Sequence, residues 1–286
     1  MKLRLGDYNQ LTVVGQCDYG LLLDGGVEGE ILMPRRYVTD EMKIGSELTL
    51  FVYLDQEERP VATTEKPLAR VGEFAWLECS WVNEHGAFLN WGLTKDLFCP
   101  FREQKARMQV GHSYMVFILI DTSSYRIMAS AKVEHFLQTF MPDDERAPLP
   151  PYRRGSEVDI IVWQPTELGY KVIVDNRFYG LLYRDQIFTD CRPGMKARAY
   201  IHNIRPDGKL DVGLQPFGRR LKEDFAEQLL EYLNSHDGQC HLSDNSSPED
   251  IKELFHVSKK TFKRAVGDLS KRRLIIIEAN GIRLTK

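Results

Sequence analysis

Three stretches of the chain place a glycine inside a β-favouring run and a second glycine 25 positions later: Gly20 to Gly45, Gly86 to Gly111 and Gly169 to Gly194. Glycine is only 21 of 286 residues, so a spacing kept three times is an internal repeat, and such a repeat constrains the fold more than any single motif. After the second glycine each copy gives an alternating apolar run: Leu48, Leu50 and Val52; Tyr114, Val116 and Ile118; Ala197, Ala199 and Ile201. Period two marks a half-buried strand. A polar turn follows, DQEER, DTSSYR or RPDGK, and leads into a last short strand at Val61 to Thr63, Ile127 to Ala129 and Leu210 to Gly213.

Five short strands per copy, closing on themselves, describe an OB-type barrel. A small barrel bends its strands sharply, and a glycine in the second strand is expected to permit a bulge or kink there. The expected class is mainly β with a C-terminal α/β part: barrels over 1–66, 67–133 and 152–218, a linker over 134–151, and a winged helix over 219–286. Within the linker, MPDDERAPLPPYRR is proline-rich and charged, which suits a spacer of restricted flexibility.

From Arg219 the periodicity becomes helical. Phe225, Leu229, Leu230 and Leu233 share one face. Ser246-Ser247-Pro248-Glu249-Asp250 supplies a cap, a proline for the first turn and acidic residues at the positive helix end. Ser258 caps a third helix with Phe262, Val266 and Leu269 inward, and Leu274 to Glu278, an Asn280-Gly281 turn and Ile282 to Leu284 give a hairpin. From His256 to Lys286 nine basic side chains face two acidic ones.

HGAF, beginning at His85, is similar to the FGAF signature of the ribosomal protein S1 RNA-binding domain, and Gly180-Leu181-Leu182-Tyr183 resembles its GLVH segment. Tyr19-Gly20-Leu21-Leu22 and Leu168-Gly169-Tyr170-Lys171 match more loosely, and SKKTFKRAVGDL resembles the winged-helix signature of the bacterial conserved virulence factor B (YitL-type) family. Three barrels plus that winged helix resemble this family over nearly the whole chain. The resemblance implies an RNA-binding regulator of gene expression at the RNA level.

The net charge of −3 divides into −7 before residue 149 and +4 after it, so polyanion binding is expected in the second half. Single strands are held by aromatic faces that stack on bases and by basic side chains that track phosphates. Copy three offers Tyr170, Lys171, Arg177, Tyr179, Tyr183 and Arg184 around its second and third strands, with His202, Arg205 and Lys209 near its fourth and fifth. The winged helix offers Lys259, Lys260, Lys263, Arg264, Lys271, Arg272 and Arg273. Tyr179 and Tyr183 alternate onto one face, which is equally that of core residues. Copy two places Phe88 at the second aromatic of the signature, with His85, Trp91, Phe98, Lys95 and Arg102 nearby; Cys99 is taken as the counterpart of its histidine. Copy one has Tyr19 and an Arg35-Arg36 pair but a charge of −5 over residues 1 to 66, and is expected to be structural or to contact ribosome or RNA-processing proteins.

Five scattered cysteines without a C-x-x-C pair fit neither a disulfide framework nor a zinc ribbon, and His236, Asp237, Cys240 and His241 fall in what reads as a polar loop. No phosphate loop, H-E-x-x-H or G-x-S-x-G occurs, so neither catalysis nor a cofactor is expected. No signal-peptide core is present and the longest apolar runs fall far short of the roughly 20 residues of a bilayer span; a cytoplasmic protein without membrane contact is expected. Single-stranded RNA is the expected partner. The alternatives are a transcription regulator reading duplex DNA through the helix after Ser258, and a protein-interaction scaffold.

Overall fold

The computed structural model describes residues 3–140, 152–187, 190–216, 219–255, 257–278 and 281–285. They form two compact units, Met1–Phe136 and Leu137–Lys286. The first holds two closed barrels. Barrel one consists of β1 (Asp7–Cys17), β2 (Gly20–Asp24), β3 (Glu30–Pro34), β4 (Glu47–Leu54) and β5 (Pro60–Thr63), and barrel two of β6 (Phe74–Val82), β7 (Gly86–Asn90), β8 (Leu97–Pro100), β9 (Ser113–Ile120) and β10 (Ile127–Ser130). The second unit holds barrel three, made of β11 (Glu157–Pro165), β12 (Gly169–Val174), β13 (Phe178–Tyr183), β14 (Lys196–Ile204) and β15 (Leu210–Gly213). In each barrel the third and fifth strands pair in parallel and close the cylinder. The chain is mainly β, as the repeat requires.

The two glycines of the repeat do different work. The first opens the second strand and pairs with the last residue of the third: Gly20 with Pro34, Gly86 with Pro100, Gly169 with Tyr183. A Cβ there would lie 1.9 Å from the Met33 carbonyl oxygen, 2.4 Å from that of Cys99 and 2.1 Å from that of Leu182, so glycine permits the close approach. The second glycine has φ of +91° at Gly45, +78° at Gly111 and +87° at Gly194, a turn conformation that side chains disfavour. The expected bulge lies elsewhere, in the first strand of every barrel, between Val13 and Gly15, Cys79 and Trp81, and Val162 and Gln164.

Barrels one and two share a core: Phe51, Tyr53 and Val61 pack with Trp91, Leu93 and Leu97. The Trp91 ring meets Phe51 edge-on at 5.9 Å, which makes Trp91 a core residue. A polar seam runs beside it. Lys95 Nζ donates to the Asp55 carbonyl at 2.7 Å, and Glu65 accepts from the Thr94 backbone N–H and hydroxyl. Arg36 donates to the Thr94 hydroxyl at 3.1 Å, so the basic pair of barrel one is partly drawn into this contact.

Of the stretch expected as a linker, residues 134–140 are built into the barrels. Phe136 stacks on Phe117, Gln138 bridges to Phe178, and Phe140 is wholly buried in the core of barrel three. Apolar contact explains the difference, since Phe136 gains a stacked ring and Phe140 a core position; residues 141–151 of the expected linker lie outside the described residues.

The C-terminal part consists of α1 (Arg219–Ser235), β16 (Gln239–Cys240), α2 (Pro248–Phe255), α3 (Lys259–Lys271), β17 (Ile275–Glu278) and β18 (Gly281–Leu284), the strands ordered β16-β18-β17. Phe225, Leu229, Leu233, Phe262, Val266 and Leu269 form its core, and the Ser258 hydroxyl caps α3 by accepting from the Thr261 N–H. Cys240 is not in a polar loop: it lies buried on β16, paired with Ile282, and burial pushes its thiol upward. Asn280 of the expected wing turn lies outside the described residues. Among the described residues no helix is long and apolar enough to cross a membrane.

Candidate nucleic-acid interface

Strand pairing defines one outward row on each barrel. On barrel two it runs Trp81, Phe88, Phe98 and Met128 across β6, β7, β8 and β10. On barrel three the same register positions are Gln164, Lys171, Leu181 and Asp211. On barrel one they are Gly15, Leu22, Leu32 and Val61, the last covered by barrel two in the shared core.

Barrel three sets tyrosines and cations beside this row. Phe178 and Leu182 of β13 enter the core, so Tyr179, Leu181 and Tyr183 point outward; neither tyrosine is a core residue. Lys171 Nζ lies 5.2 Å from the Trp163 ring centre and 5.9 Å from that of Tyr179, and Lys209 Nζ lies 5.4 Å from Tyr179. Trp163 meets Tyr179 edge-on at 6.4 Å. Trp163 is only 8% exposed and backs the cluster, so the half-buried Tyr179 ring is the face suited to a base, with Lys171 and Lys209, the latter also 2.9 Å from Asp207, beside it for phosphates.

Arg205 acts differently from a free phosphate ligand. Its Nε donates to Asp211 at 2.7 Å and its Nη2 to the Tyr183 hydroxyl at 2.9 Å, while Asn203 Nδ2 donates to the other Asp211 oxygen at 3.2 Å. The hydrogen bond to Asp211 holds the guanidinium above its ordinary range. Arg205 therefore positions Tyr183. Tyr170 points to the opposite side of β12 and packs against the core. Arg177 is held by Gln138 at 2.7 Å and lies over Phe178, and Arg184 reaches the Thr166 carbonyl at 3.4 Å. The His202 ring packs over Gly213, with Nε2 3.1 Å from the Gln215 carbonyl oxygen. The structure thus gathers Lys171, Tyr179 and Lys209 into one cluster, sets Tyr183 and Arg205 beside it, and places Tyr170, Arg177, Arg184 and His202 in other local contacts.

Barrel two carries an aromatic stack instead. Trp81 and Phe88 lie parallel, with centres 3.7 Å apart and planes within 3°, and Phe98 follows at 5.0 Å from Phe88. Trp81 is 45% exposed. Cys99 faces the other way: it is fully buried, and burial pushes its thiol up to about 12. It is not the counterpart of the signature's histidine. Pro100 holds that place, because Pro100 pairs with Gly86 as Tyr183 pairs with Gly169.

Trp81 is a functional candidate that sequence alternation misses. Leu77 and Cys79 point inward, so continued alternation would bury Trp81; the bulge reverses the parity and turns it out. On α3, Lys260, Lys263, Arg264 and Lys271 are exposed, as are Arg272 and Arg273 beyond it, while Lys259 is half-buried. Arg272 lies 3.6 Å from Asp268.

Residues 227–284 match the CvfB-like winged helix domain, and residues 5–65 match the S1 domain. The chain is 27% identical over 274 residues to the "Uncharacterized protein YitL" of Bacillus subtilis, covering 94% of this chain and 90% of that protein. It is 26% identical to "Conserved virulence factor B" of Staphylococcus saprophyticus, covering 99% and 95%. A crystal structure described as a multidomain protein with nucleic acid binding domains, from Streptococcus pneumoniae, aligns over 98% of both chains at 22% identity and a TM-score of 0.41. Both matched domains are of nucleic-acid-binding kinds rather than catalytic ones.

Proposed function

From a chain that carries an S1 domain and a CvfB-like winged helix, and is a relative of YitL and conserved virulence factor B, we propose an RNA-binding regulator that holds single-stranded RNA on its barrel faces and on α3, in the cytoplasm and without catalysis. The observation that carries this is the cluster of Lys171, Lys209, Tyr179 and Trp163 on barrel three. Stacking on a ring requires an unpaired base, which a duplex does not present. The lysines and the basic residues of α3 supply the phosphate contacts. Side-by-side titration of the full chain with single-stranded RNA and duplex DNA of equal length, over a range of salt, tests it. Tighter binding to the single strand, weakening steeply as salt rises, is the expected outcome. Preference for the duplex would instead favour a transcription regulator acting through α3, whose exposed basic residues suit a DNA backbone equally well.

A further inference from the structure

A cleft of about 260 Å³ lies between barrels one and two and reaches Phe88. Barrel one contributes Tyr53, Leu54 and Glu58, and barrel two faces them with Phe88, Trp91 and Phe98. We propose that this cleft takes one unpaired nucleobase, so that barrel one, whose own outward row has no aromatic residue, supplies half of a base site. The proposal rests on the single-strand assignment above and extends it to a site outside the barrel faces.

Three properties of the cleft select a base. Its walls are ring surfaces: Phe88 and Phe98 are inclined at 41° with centres 5.0 Å apart, and Tyr53 and Trp91 are buried beside them. Its lining also includes Asn83, His85 and Asp96, which offer donors and acceptors to the edge of a flat group. Its cations are engaged already. Lys95 donates to the Asp55 carbonyl, and Arg126 is paired with Glu58 across the two barrels. A phosphate would find Lys95 and Arg126 already engaged, whereas the Asn83 amide N–H2 and the Asp96 carboxylate offer a donor and an acceptor to the edge of a base. A base matches both walls and edge. Phe88 belongs to the cleft and to the outward stack alike, so a strand stacked on Trp81 meets the cleft with a neighbouring base.

The base can come from a strand or from a free nucleotide, and the experiment separates the sources. The full chain is titrated with a single-stranded RNA decamer and with the four nucleoside 5′-monophosphates, followed by anisotropy and tryptophan fluorescence. Leu54→Trp fills the cleft from the barrel-one side without touching Trp81 or Phe88, and should weaken the decamer at least fivefold with an unchanged melting temperature. Glu58→Gln, a surface change with little risk to folding, removes a negative charge near the strand and should tighten it two- to threefold. A decamer carrying 4-thiouridine should crosslink to the peptide containing Tyr53 and Leu54. Mononucleotides that compete with the decamer and lose binding in Leu54→Trp indicate a free nucleotide; decamer binding without mononucleotide binding indicates a strand. Decamer binding with no barrel-one crosslink, and with both variants like the parent, overturns the cleft and leaves the single-strand assignment standing. No binding of any single strand at low salt overturns both.

Discussion

Barrels two and three place different chemistry on the same register positions. Trp81, Phe88, Phe98 and Met128 on one become Gln164, Lys171, Leu181 and Asp211 on the other. One face is an uncharged stack; the other mixes tyrosines with lysines and a guanidinium locked to a carboxylate. The lesson is that the paired glycines preserve backbone geometry and leave the outward side chains free to diverge. On this account barrel two grips bases by stacking and barrel three grips the backbone by charge as well.

The largest effects break the scaffold that the comparison depends on. Gly86→Ala or Gly169→Ala puts a Cβ 2.4 or 2.1 Å from a backbone carbonyl oxygen and should cost about 2–4 kcal/mol of stability in denaturant unfolding. Gly111→Ala meets no atom within 4 Å and should cost only about 1–2 kcal/mol, from its φ of +78°. A loss at Gly86 no larger than that at Gly111 would show that the strands relax around the added Cβ and that close approach is not what glycine provides there.

Trp81→Ala should weaken single-stranded RNA by about 1–3 kcal/mol, measured by anisotropy, if its exposed face carries a base. Arg205→Ala removes the charged donor to Asp211, which is 8% exposed and keeps only the Asn203 amide, and should cost about 1–3 kcal/mol in stability while releasing Tyr183. Barrel two has no such pair, so Met128→Ala there should leave the charge balance of the RNA contact unchanged.

The smallest effect is on pH. Burial opposes ionisation of Glu65, but hydrogen bonds from Thr94 and Tyr37 outweigh it and hold the carboxyl below the usual glutamate range. A folded value below the unfolded one adds stability above the ordinary range, which is lost as pH falls through the folded value. The seam between barrels one and two should therefore loosen in acid, by under about 1 kcal/mol because the pair is partly solvated. Hydrogen exchange of the Thr94 amide at neutral and acid pH measures it, and Glu65→Gln should abolish the difference.

Much of this architecture is legible in the sequence because glycine spacing and period-two alternation are local. The barrels, the α3 cap at Ser258 and the inward Phe262, Val266 and Leu269 follow from nearest neighbours. The sites are less legible. Trp81 escapes because a single bulge reverses alternation, and an extra residue in a strand leaves no mark of its own in composition. Cys99 is misplaced against Pro100 for a related reason, since a one-residue slip moves a side chain to the other face. The Arg205–Asp211–Tyr183 arrangement joins β13, β15 and the turn after β14, and becomes visible only when the barrel closes.

The salt dependence of single-stranded RNA binding by the full chain tests the division of labour most directly, using the parent, Trp81→Ala and Lys171→Ala/Lys209→Ala. Each phosphate contact contributes about 0.7 to the slope of log affinity against log salt for a single strand. The account predicts a line for Trp81→Ala that is displaced downward and parallel to the parent, and a line for the double lysine variant flatter by about 1.4. Unchanged slope in the lysine variant, or a flattened one in Trp81→Ala, would contradict it.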